Sequence, residues 1–185
     1  MIDRINPRAR SDAYGSKINR SHSPLRAIGI PVVTILLGSL SPWLPFIASV
    51  PLLPPLGYLF FVAWRLGRPG LLPMWSGAAF GLIDDLFSGQ PFGSAIFLWS
   101  LTLLVIEAIE TRFPWRSFFQ DWLVATALIA AYLFMGAVLA GIVSSPARLA
   151  LLLPQFLFAM LFYPILARFV AMLDRFRLRR VRRLG

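Results

Sequence analysis

The chain has 185 residues, 58% of them apolar and only 14% charged, with a formal net charge of +10 and no cysteine. A water-soluble domain of this length cannot hide so much apolar side chain, which excludes a soluble enzyme, a secreted disulfide scaffold and a disordered or collagen-like chain. A spanning helix needs about 20 residues to cross about 30 Å of hydrocarbon, so the apolar body has room for six and the chain is expected to be a small all-α integral membrane protein. Of the 18 basic residues, six lie between Arg4 and Arg26 and six between Arg175 and Arg183. The charge therefore flanks the apolar body, in the manner of cytoplasmic membrane-protein segments, and no nucleic-acid partner is expected. The lack of cysteine removes thiolate metal sites and cysteine nucleophiles together.

In chain order, residues 1–26 are polar and basic and read as a mobile cytoplasmic tail. No small-residue cleavage site follows, so the next apolar run is expected to be a retained first helix rather than a signal peptide. Residues 27–170 form the transmembrane domain, with apolar runs at 27–44, 50–66, 71–87, 92–109, 122–143 and 149–170. These runs are continuous and lack strand alternation, which suits helices that satisfy their own backbone in lipid. In the second run Pro51, Pro54 and Pro55 each remove a donor and restrict the residue before them. Regular helix there is expected only from about Leu56, as a full span or as a re-entrant half-helix. Six spans place both ends in the cytoplasm, with every basic residue except Arg148 on that side.

Trp43, Trp64, Trp75, Trp99, Trp115 and Trp122 mostly fall near run ends and are expected to form an interfacial belt. Glu107, Glu110 and Asp121 cluster with Arg112 and Arg116 as a solvated inner loop whose ion pairs contribute little. Residues 171–185 form an Arg-rich cytoplasmic tail. It reads as a topology anchor on anionic lipid, with docking of a cytoplasmic filament as the sharper alternative.

The most informative segment is 75–93, WSGAAFGLIDDLFSGQPFG. Gly77, Gly81, Asp85, Gly89 and Gly93 recur at intervals of four, and Gly77 with Gly81 is a GxxxG pair in an apolar helix. Such a bare stripe admits a neighbouring backbone, either within the chain or from a partner's helix. Asp84 and Asp85 fall near the outer end of this helix, turned by about 100° from each other. Asp85 lies in register with the glycines and is expected to accept amides from the loop that closes the hairpin. Asp84 is expected to reach interfacial water.

At this segment the chain resembles the rod shape-determining MreD family. The features that carry the resemblance are Pro54 opening the second span, Trp64 closing it, and then Gly81, Asp85, Gly89 and Gly93 at four-residue spacing. Ala63 stands where an aromatic is often found, and Asp84 is an acid beside the motif one. The resemblance implies a non-enzymatic component of the bacterial elongation machinery in the cytoplasmic membrane. Such a protein binds the bitopic protein MreC and works with MreB filaments, the RodA glycosyltransferase and an elongation transpeptidase in lateral peptidoglycan synthesis. It also implies six transmembrane helices in a fold similar to the substrate-binding subunits of energy-coupling-factor transporters, an analogy of fold that does not establish ligand binding. The residues themselves offer no nucleophile with a base and no metal cage: the single histidine, His22, lies in the tail, and no catalytic, cofactor or metal site is expected. The rival reading is a vitamin-like substrate-binding subunit, whose outward pocket Asp85, Ser88, Gln90 and Ser94 would line.

Overall fold

The computed structural model describes residues 20–21, 24–43, 53–113, 117–141, 152–177 and 181–182. Each apolar run contributes one helix: α1 Pro24–Ser39, α2 Leu56–Gly67, α3 Ser76–Phe87, α4 Ser94–Arg112, α5 Phe118–Leu139 and α6 Leu152–Arg177. Helix α2 starts directly after Pro54 and Pro55, where the fixed φ of proline suits a helix entry. Helix α5 starts ahead of Trp122 because Ser117 and Gln120 form a capping box: the Ser117 hydroxyl accepts the Gln120 amide, and the Gln120 side chain accepts the Ser117 amide at 2.9 Å. Helix α6 runs past Val170 to Arg177, continuing into residues read from sequence as tail. Two short strands, β1 Arg20–Ser21 and β2 Val181–Arg182, pair antiparallel, so the two basic ends of the chain meet.

Helices α4, α5 and α6 are long and apolar enough to cross a membrane, while α2 and α3 have only 12 residues each. Helix α2 is the axis of the bundle: between Gly57 and Leu66 every residue except Phe60 is buried. Around it, α1 and α6 pack on its flanks and α3 pairs with α4. Tyr58 stacks on Tyr132 of α5 with ring centroids 4.0 Å apart, and Phe61 meets Trp99 of α4 at 4.8 Å. The Tyr58 hydroxyl meets Thr102 Oγ1 at 2.9 Å, so this buried polar tip is satisfied. The outer surface is the reverse of a soluble protein's. Leu37, Phe97, Leu104, Phe134, Leu161 and Ile165 all face outward at more than half exposure, a continuous apolar coat suited to lipid.

The tryptophans divide differently from an interfacial belt. Trp64 and Trp99 are completely buried and belong to the core, while Trp43 and Trp75 are 69% and 70% exposed. Trp115 lies outside the described residues. Run ends coincide with the belt only where the helix face also turns outward, and terminal position alone does not report the face.

Two prolines lie inside helices, Pro31 in α1 and Pro164 in α6. Each lacks the amide that would bond the carbonyl four residues earlier, at Ala27 and Met160. In hydrocarbon such a carbonyl needs another donor. Arg177 Nη1 donates to Ala27 O at 2.6 Å, and Trp122 Nε1 donates to Met160 O at 3.2 Å. The helix breaks are thereby used as interhelical ties, α6 to α1 and α5 to α6. Trp122→Phe is expected to lower stability by about 1–3 kcal/mol, the cost of an orphaned buried acceptor. In a Pro164→Ala background an intrahelical amide takes the carbonyl, and the same change should cost less. A double-mutant cycle of detergent melting measures the difference, and equal costs in both backgrounds would refute the tie.

Candidate functional site

The α3–α4 hairpin holds the segment singled out by spacing. At Gly77 a Cβ would lie 2.9 Å from Ser100 Cα and from the Trp99 carbonyl oxygen, and at Gly81 it would lie 2.6 Å from the Ala95 carbonyl oxygen. Both distances are to backbone that cannot swing away, so the two glycines set how closely α3 approaches α4. Gly89 and Gly93 occupy a different part of the structure. They sit in the turn after α3 with φ +68° and +94°, and a Cβ at either would meet open space. Their glycine requirement is conformational, the left-handed region that costs other residues more. The four-residue spacing thus joins two separate needs, a bare helix face and a tight turn.

Asp85 connects them. Its Oδ1 accepts from Ala95 N at 2.8 Å and from Ser94 Oγ at 3.3 Å, and its Oδ2 accepts from Gly93 N at 2.9 Å and Ile96 N at 3.2 Å. The first amides of a helix have no partner within it, and α4 is preceded at its cap position by Gly93, which has no side chain to cap it. Asp85 supplies the cap from across the turn and sets an anionic group at the positive end of the α4 dipole. The residue is 6% exposed.

Asp84 does not point outward from its helix as expected. It is 7% exposed and turned into the bundle, beside the hydroxyls of Ser39 and Tyr132. It lines a cavity of about 330 Å³ between the ends of α1, α2, α3 and α5 and the start of α6. The other polar groups there are Ser39, Ser41, Ser88, Gln90, Tyr132 and Gln155, and buried Pro54 forms part of the wall. Gln90 Nε2 donates to the Tyr132 hydroxyl at 3.5 Å, and Gln155 Nε2 donates to the Leu53 carbonyl at 2.9 Å. Asp85 and Ser94, expected from sequence to line an outward pocket, instead bond each other within the hairpin. With the neighbouring acids turned about 100° apart, Asp85 holds backbone and Asp84 faces the hollow.

The opposite end of the bundle is charged. Arg65 is 2% exposed at its side chain and is clamped by Glu107 and Glu110, with Nη1 2.9 Å from Glu110 Oε1. The solvated inner loop expected for these acids is corrected in its element and its partner: Glu107 and Glu110 lie on one face of α4 and reach across to Arg65 of α2, although Glu107 is still half exposed. Arg116 lies outside the described residues. The two carboxylates compensate the charge of the buried arginine, whose signal in the sequence is the single charge in the apolar run 50–66. Asp174 binds both Arg68 and Arg177, with 2.6 Å from Arg177 Nε to Asp174 Oδ1. The Arg177 guanidinium stands 5.6 Å over the ring of Trp64, whose Nε1 donates to Thr34 Oγ1 at 2.9 Å. Trp64 therefore locks α1, α2 and α6 at this end. Sequence reasoning also missed the α1–α2 crossing, where a Cβ on Gly38 would meet Gly57 N at 2.7 Å.

Among the described residues no three His, Cys, Asp or Glu side chains gather as a metal site. The hairpin has the geometry of a packing and capping device: backbone against backbone, with a carboxylate holding donors that belong to its own chain. The family model described as rod shape-determining protein MreD matches residues 26–173. No curated protein and no solved structure matches.

Proposed function

The chain belongs to the rod shape-determining protein MreD family, and from that membership we propose that it serves as a six-span, non-catalytic scaffold of the cell-elongation machinery in the bacterial cytoplasmic membrane. In this reading it binds the bitopic protein MreC, works alongside MreB filaments, RodA and the elongation transpeptidase, and supports lateral peptidoglycan synthesis. The observation that carries the scaffold reading is the α3–α4 hairpin. Its conspicuous residues are spent on fixing two helices at one distance and capping the second, which yields a rigid surface in lipid.

Six crossings are supported by the six helices and by the β1–β2 pairing, which brings the two chain ends to the same side, as an even number requires. Helices α2 and α3 extend only about 18 Å each, less than the hydrocarbon. Irregular backbone at membrane depth is tolerated where it lines a polar cavity, and the Asp84 hollow lies where α2 begins and α3 ends. A C-terminal alkaline phosphatase fusion is expected to be inactive and a fluorescent protein fusion bright. An active phosphatase would sink the even count. Co-purification with MreC from a bacterial membrane, and rescue of rod shape in a strain lacking its own family member, test the function directly. Loss of neither on deletion of the chain would reject it.

The Asp84 cavity favours one second reading, a vitamin-like substrate-binding subunit similar in fold to those of energy-coupling-factor transporters. A raised melting temperature with one member of a vitamin panel, and no MreC retention, would favour it over the scaffold.

A further inference from the structure

At the charged end of the bundle a second cavity, of about 440 Å³, opens between the end of α2, the start of α5 and the last turns of α6. Its volume falls in the range of ligand sites. Arg68, Arg168 and Arg175 line it, together with Asp121 and Asp174. Asp174 is already neutralised by Arg68 and Arg177. Arg168 and Arg175 form no ion pair among the described residues, and both are exposed. Seven residues apart, they stand on one face of α6 about 10 Å from each other, a separation that two arginine stems can close onto one anion between them.

Placement at a cavity on an apolar helix distinguishes this pair from an ordinary topology signal. Arg175 stands in the last turn of α6, which ends at Arg177, and Arg168 lies two turns earlier in the apolar stretch that holds the buried Leu166 and Val170. A guanidinium on an apolar spanning helix needs an anion or a route to water. The remaining wall, including Leu66, Ala167 and Val170, is apolar, and Phe118 stands at the rim with 57% exposure. The site thus joins a phosphate-sized cationic clamp to an apolar flank.

We propose that this cavity binds the phosphate of an anionic phospholipid, held between Arg168 and Arg175 with its acyl chains along the Leu66, Ala167 and Val170 wall. Basic pockets between spanning helices on the positively charged side are suited to such headgroups. Arg68 sets the rim and, through Asp174 and Arg177, ties the lipid to the packing of α1, α2 and α6.

The full chain in nonionic detergent, incubated with equal amounts of phosphatidylglycerol and phosphatidylcholine, is expected to retain phosphatidylglycerol in native mass spectrometry and to melt higher with it. Arg168→Gln or Arg175→Gln should weaken retention about fivefold, and the pair roughly twentyfold. Arg112→Gln removes a charge at the same end outside the cavity and should behave as the parent. Both cavity variants alter exposed side chains and should melt like the parent in phosphatidylcholine; should Arg168→Gln fail to fold, Arg175→Gln alone decides. Equal retention of the two lipids, or equal loss in Arg112→Gln, would overturn the site. Stabilisation by millimolar inorganic phosphate that matches phosphatidylglycerol would overturn the lipid assignment in favour of a soluble phosphate.

Discussion

Gly81→Leu is expected to prevent the α3–α4 hairpin from closing, and even Gly81→Ala should be costly. The Cβ alone would stand 2.6 Å from the Ala95 carbonyl oxygen and 2.7 Å from Ile96 Cα. A collision with a flexible side chain is relieved by a rotamer change, but here the opposing atoms are the first turn of α4, held in place by Asp85. The helices must move apart as units. Overpacking costs about 1–3 kcal/mol where side chains can yield, so the alanine variant is placed at about 3 kcal/mol and leucine beyond it. Separation also opens gaps beside Phe80 and Trp99, whose dispersion contacts hold the helices together in lipid. The internal control is Gly29, also helical, where a Cβ meets nothing within 4 Å. Gly29→Ala should be neutral or slightly stabilising, because alanine is the better helix former. Monodisperse yield and melting in detergent measure both. A Gly81→Ala protein that melts with the parent would mean that α3 is not pressed on α4 at this point.

The part of this fold legible in the sequence is the part governed by local chemistry. Prolines at 54 and 55 delay the second helix, and α2 begins at Leu56. The apolar runs locate the six helices of the described residues, because in lipid a continuous run must satisfy its backbone as helix. The interval of four along Gly77, Gly81 and Asp85 places a bare face and a carboxylate together, and the hairpin has them so. What the sequence concealed depends on which faces meet. Arg65, Glu107 and Glu110 are an ordinary charged group until α2 is set against α4, when the two acids close over a buried arginine. Asp84 and Asp85 are equivalent in composition and diverge only because one faces a turn and the other a hollow. The proline-freed carbonyls fall between these cases: Pro31 and Pro164 announce that Ala27 and Met160 lack a donor, but only packing shows that Arg177 and Trp122 provide it. A reader of sequence can list the needs of each helix, and the assembled bundle pairs them.

That pairing makes Asp85 the acid whose loss should matter most. Asp85→Ala removes the acceptor from four donors, the amides of Gly93, Ala95 and Ile96 and the Ser94 hydroxyl, all fixed by α4 itself. The Ser94 hydroxyl can turn to Gln90 Oε1, 3.4 Å away, but the three amides cannot move, and the first turn of α4 is left with orphaned amides at the positive end of its dipole. Leaving one buried donor unsatisfied costs about 1–3 kcal/mol. With partial hydration at the turn, about 3–4 kcal/mol is expected for the set. Asp84→Ala should cost no more than about 1 kcal/mol, although Asp84 is equally buried. Its neighbours are the side-chain hydroxyls of Ser39 and Tyr132 at a polar hollow of about 330 Å³, roomy enough for water to replace the carboxyl. The Asn variant at 85 separates hydrogen bonding from charge. Both carboxylate oxygens accept in the parent, whereas an amide keeps one acceptor and turns a donor toward the remaining amides. Asp85→Asn should therefore recover about half of the lost stability. Melting of the three variants in the same detergent, with retention of MreC as a second reading, orders them as parent, Asp84→Ala, Asp85→Asn and Asp85→Ala. If Asp84→Ala proves the more damaging, the hollow rather than the hairpin cap is what the chain cannot do without.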